Sequence, residues 1–172
     1  AILEKQFVEV IIAPDANEEA KKILATKENI RVLLTGFWQQ GNNFSLSMKK
    51  VDGGLLVQEN DSLTLDSCEL QTDTQVKPTD EALKNLMFAW LAAKHVKSNA
   101  IVYANDLATI GIGGGQTSRV MSARIGLWQA EQMGFDPKGA VMASDAFIPF
   151  PDTIEIAAKA GISAIIQPGG SI

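Results

Sequence analysis

At 172 residues and a formal charge of −5, with 46% hydrophobic and 20% charged residues, the chain has a globular balance and no basic stripe to meet a nucleic acid backbone. No apolar run approaches the ~20 residues of a membrane span, and the N-terminus has no secretory pattern. One cysteine, Cys68, and one histidine, His95, exclude an internal disulfide and leave too few ligands for a zinc site. Together these predict a cytoplasmic protein with no metal, no nucleic acid and no membrane partner. The absence of an opening Met predicts a cut within a longer chain.

The run Phe7–Pro14 reads as a buried strand ended by proline. Asp15 or Asn17 can cap a short helix in which Ala20, Ile23 and Leu24 share a face, and Ile30–Leu34 is a second strand. This β-α-β order predicts parallel strands. Residues 36–77 turn polar around Gly53-Gly54 and predict short antiparallel strands and loops. Pro78-Thr79-Asp80-Glu81 starts a helix whose buried face is Leu83, Leu86, Met87, Trp90 and Leu91. Strands over 99–104 and 109–112 flank a turn at Asn105-Asp106. Gly113-Gly114-Gly115 leads into a helix of roughly residues 116–133 closed by Gly134. A strand at Val141–Ala143, a helix at Asp152–Lys159 and a strand at Ile162–Ile166 follow. The alternation predicts an α/β fold, a layered α-β-α sandwich with ligands at strand ends.

Four segments carry candidate chemistry. In Gly111–Arg119, glycines between strand and helix allow close approach to a ligand, and Arg119 adds a forked cationic donor for an anion. An ordinary glycine turn with a surface Arg fits equally, and the run matches neither common phosphate-loop pattern. In Ser144–Asp152, Phe147 and Phe150 can flank a flat heterocycle, and Asp152 can accept two hydrogen bonds from an amino-pyrimidinone edge. The plainer alternative makes Asp152 a helix cap and the Phe residues core. His95, between two lysines at a helix exit, suits the negative helix end better than a general base, and Asn99 is the better ligand reader. Gln167–Ile172 forms a turn that presents amides and a hydroxyl, or one cut short.

Six ordered segments carry a resemblance: Phe7–Pro14, Gly53–Gln58, Lys97–Ala104, Gly111–Gln116, Ala143–Phe147 and Ile166–Ile172. In these the chain resembles the bacterial phosphoribosylaminoimidazolecarboxamide (AICAR) formyltransferases, part of the bifunctional purine biosynthesis proteins that also hold inosine monophosphate (IMP) cyclohydrolase. The resemblance implies a cytidine deaminase-like fold with a mixed sheet and no zinc. On this reading residues 1–36 end one deaminase-like subdomain, 37–77 connect, and 78–172 form a second, truncated at its C-terminus. It implies formyl transfer from 10-formyltetrahydrofolate, as co-substrate, to the 5-amino group of AICAR, and a homodimer.

By the same resemblance, Glu9, Asn99, Arg119 and Phe147 line the nucleotide site. Val120, Phe147, Asp152, Ser171 and Ile172 hold the folate. The family's Lys-His-x-Asn-Pro motif, which supplies the proton acceptor, is not among these residues, so no catalytic residue is assigned in this chain. Pro151 stands where the family usually has Arg, and Gly114-Gly115 where Gly is usually mixed with Ala. A partial transferase with little activity alone is expected. The alternative is a non-catalytic folding or dimerisation fragment that binds folate or nucleotide weakly.

Overall fold

The computed structural model describes residues 7–37, 46–61 and 69–170. It divides into two compact units, Ala1–Leu63 and Thr64–Ile172.

In the first unit, β1 (Val10–Ala13) and β2 (Arg31–Leu34) pair in parallel, joined by helix α1 (Glu18–Ala25). Asn17, rather than Asp15, caps α1, its side chain accepting the Ala20 amide at 2.8 Å. Strands β3 (Leu46–Val51) and β4 (Gly54–Glu59) form the expected antiparallel hairpin, turning at Asp52-Gly53 with Gly53 at φ +79°. No residue of α1, β1 or β2 is fully buried.

The second unit is a three-layer α/β sandwich. Its sheet runs β6-β5-β7-β8, with β5 (Ile101–Asn105) antiparallel to β6 (Ala108–Gly113) and to β7 (Val141–Ser144), and β7 parallel to β8 (Ala164–Ile166). The mixed sheet is thus present as expected. Helix α2 (Asp80–Lys94) covers one face; α3 (Arg119–Gln132) and α4 (Pro151–Lys159) cover the other. Because strand side chains alternate, β5 sends Ile101 and Tyr103 into the core under α3 and α4, and Val102 and Ala104 into the core under α2. Strand β7 does likewise with Met142 on one side and Val141 and Ala143 on the other. A strand covered on both faces must be largely apolar, and β5 and β7 are, apart from their last residues Asn105 and Ser144.

Three expectations need correction. The buried stripe of α2 is Asn85, Leu86, Ala89 and Ala93, while Leu91 is exposed. The helix lies close to the sheet on its small residues, which leaves the bulky ones at its flanks. The hairpin turn falls at Asp106 and Leu107, both with positive φ, one residue later than expected, and the buried Asn85 Oδ1 accepts the Leu107 amide at 2.8 Å. Helix α3 starts at Arg119, where Ser118 Oγ accepts the Met121 amide at 3.2 Å.

The close fit of α3 on β6 explains much of the glycine pattern. A Cβ on Gly111 would sit 2.0 Å from the Gly126 carbonyl oxygen, and one on Gly113 would sit 1.9 Å from that of Ser122. These glycines admit the helix backbone itself.

Candidate functional site

Strand register decides which loops meet. Ile101 pairs with Gly113 and with Ser144, and Ala143 pairs with Ile166. The segments before β5 and after β6, β7 and β8 therefore leave from one end of the sheet. They fall within the four segments singled out from sequence, as the residues around Asn99, Gly114–Ser118, Asp145–Phe150 and Gln167–Gly170. The Asp106–Leu107 turn lies at the other end.

Asp145, the first residue after β7, joins three of the segments. Its carboxylate accepts hydrogen bonds from the Ser98 hydroxyl, from the Ala100 amide at 3.0 Å and from Arg119 Nη2 at 3.0 Å. Its own amide donates to the Ala100 carbonyl at 3.2 Å. The ion pair is well sheltered, with 15% of the Arg119 side chain and 17% of the Asp145 side chain accessible. Burial pushes the Asp145 carboxyl up, but the Ser98, Ala100 and Arg119 donors and the guanidinium charge outweigh it and hold the group below its ordinary value.

Arg119 is the first residue of α3 and keeps donors to spare. Among the described residues, its Nε is the buried side-chain polar atom left without an acceptor. Val120, next in the helix, is half-buried. Asn99 braces the glycine segment: its Nδ2 donates to the Gln116 carbonyl at 2.9 Å, and its own carbonyl accepts from Ser122 Oγ at 2.7 Å. The Gly115 amide donates to the Lys97 carbonyl at 2.6 Å, which ties the same segment to the connection that enters β5.

The aromatic loop is pinned at its base. Ile148 donates its amide to Gln167 Oε1 at 2.8 Å, and a Cβ on Gly170 would lie 3.6 Å from the Phe147 ring. Phe147 is half-buried, whereas Phe150 is 68% exposed and so is not core. Asp152 does not cap α4: Phe150 occupies the cap position without a side-chain bond, Pro151 follows as the first helical residue, and Asp152 is second. Its Oδ1 accepts the Thr153 amide at 2.8 Å, and the residue is exposed. No bond among the described residues joins Asp152 to Arg119, although both stand at the same end of the sheet.

The remaining assignments fall elsewhere. Ser171, Ile172 and Cys68 lie outside the described residues. Glu9 is exposed in the first unit, where its carbonyl accepts the Arg31 amide at 3.0 Å. His95 is the exposed C-cap residue of α2. Asp145, Ser98 and Gln167 were missed as site residues. A carboxylate immediately beyond a strand's C-terminal end was the available signal for Asp145.

Among the described residues, no group of three or more His, Cys, Asp or Glu side chains is placed to hold a metal ion, and no helix is long and apolar enough to cross a membrane. A family model described as the AICARFT/IMPCHase bienzyme matches residues 1–129. That match spans the first unit, the α2–β5–β6 core and Arg119 with most of its helix. The chain belongs to the AICARFT/IMPCHase bienzyme family, the bifunctional enzymes of purine biosynthesis.

Proposed function

We propose that this chain contributes nucleotide- and folate-binding residues to a transferase that moves a formyl group from 10-formyltetrahydrofolate to the 5-amino group of AICAR. The observation that carries the reading is the convergence, at one sheet end, of the Arg119 helix start, the Asp145 carboxylate and the aromatic loop. Arg119 suits the anionic nucleotide, since its sheltered guanidinium retains donors and its Nε has no acceptor among the described residues. Phe150 and Asp152 suit the pterin, one offering an exposed ring and the other an exposed carboxylate.

In the reaction the amine nitrogen attacks the formyl carbon, the bond from that carbon to N10 breaks, and the amine loses a proton while N10 gains one. The amine is a weak nucleophile because its lone pair is delocalised, so orientation and a proton acceptor are both required. The assigned residues bind and orient; none of them is a proton acceptor for this step. We therefore expect the 172-residue chain, assayed alone, to bind ligands with little turnover. The cytidine deaminase kinship, the cytoplasmic location and a homodimer belong to the same proposal.

The test is titration calorimetry with the ribonucleotide and with a reduced folate. Arg119→Gln should weaken the ribonucleotide about tenfold and spare the folate, and Asp152→Asn should do the reverse. Binding of neither ligand by the unmodified chain overturns the binding reading. Rapid release of tetrahydrofolate by the chain alone overturns the expectation of little turnover. The second reading, a folding or association fragment, is favoured by the apolar exposure of the first unit, where Ile12 is 61% and Leu33 is 51% accessible.

A further inference from the structure

We infer that Asp145 is a positioning residue, which sets the Arg119 guanidinium in the orientation that receives the nucleotide. This rests on the reading of Arg119 as a nucleotide donor. Three features of the site carry it.

The first is location. A cation at the first residue of a helix stands at the positive end of the helix dipole, the unfavourable end for it. The Asp145 carboxylate offsets that repulsion locally at 3.0 Å. The second is economy of contact. Arg–carboxylate pairs are frequently bidentate, but here Nη2 alone donates and the buried Nε is left open. The carboxylate thus holds one corner of the fork and leaves the rest for another acceptor. The third is rigidity. Asp145 is itself fixed by the Ser98 hydroxyl, the Ala100 amide and its own amide on the Ala100 carbonyl, so the sheet end dictates where the guanidinium sits.

The experiment uses the full 172-residue chain with 15N-labelled arginine, AICAR as the probe and a reduced folate as control. Asp145→Asn should weaken the ribonucleotide by up to about tenfold, no more than Arg119→Gln does, leave the folate within about twofold, and broaden the Arg119 guanidinium resonances in the ligand-free protein. Asp145→Glu should recover part of the affinity. Should Asp145→Asn fail to fold, Ser98→Ala keeps the charge and loosens only its mooring, with an expected loss of about threefold.

Guanidinium resonances unchanged by Asp145→Asn, or ribonucleotide affinity equal to that of the unmodified chain, would overturn the inference. For Ser98→Ala the same two null results count against it. If Arg119→Gln binds the ribonucleotide as well as the unmodified chain, the reading of the nucleotide site fails. The ligand-free resonances still decide whether Asp145 holds Arg119.

Discussion

The two units use the same local grammar and reach different packing. Each contains parallel strands and a capped helix, yet the first unit buries none of the residues of β1, β2 or α1, while β5 and β7 of the second are covered on both faces. An apolar parallel strand gains little from its own hydrogen bonds; cover from both sides makes it stable. The contrast teaches that a β-α-β pattern in sequence reports local structure and says nothing of what lies above and below it.

The sharpest way to break that contrast is hydrogen exchange on the intact chain. Amides of β5 and β7 should exchange on the order of a thousandfold more slowly than those of β1 and β2. Equal protection in the two units would mean that the first is as well covered as the second.

A smaller effect comes from single methyl groups. Gly113→Ala forces a Cβ to 1.9 Å from the Ser122 carbonyl oxygen and should destabilise the second unit by about 3 kcal/mol in denaturant titration. Gly53→Ala, in open space at φ +79°, should cost about 1 kcal/mol, and only in the β3–β4 hairpin. If the two variants lose the same stability, the close helix-on-strand contact is not what holds the second unit together.

The smallest effect is read at Tyr103, the one tyrosine of the chain. Its phenol is buried, donates to the Ala123 carbonyl at 3.2 Å, and is raised by burial well above its ordinary value. The folded state therefore holds this proton more tightly than the unfolded chain. Its contribution is complete below about pH 10 and is lost as pH rises beyond that. Tyrosinate absorbance should appear only with unfolding; ionisation of the folded protein near pH 10 would refute the burial. Tyr103→Phe should cost about 1 kcal/mol at neutral pH and flatten this alkaline decline.

Legibility followed how local each signal was. Thr79 acts through an amide three residues away, so the start of α2 could be read directly, whereas Asp15 and Asn17 were equal candidates for α1 until Asn17 was seen to hold the Ala20 amide. The face of α2 could not. Leu91 is as apolar as Leu86, and only contact with the sheet selects Leu86, Ala89 and Ala93. The glycine segment was read as a ligand loop or an ordinary turn, yet Gly111 and Gly113 also answer to α3. That demand comes from residues more than eight positions on. The partnership of Asp145 with Arg119 spans 26 residues and two elements, α3 and β7, and left no mark in the spacing.

The sequence by itself determined the order of strands and helices, the Thr79 cap of α2 and the segments where ligands would be sought, because caps, turns and alternation act over a few residues. Tertiary structure alone decided that four of those segments share one end of one sheet and that Asp145 holds Arg119. Such choices depend on strand order and register, which arise when distant apolar faces cover one another.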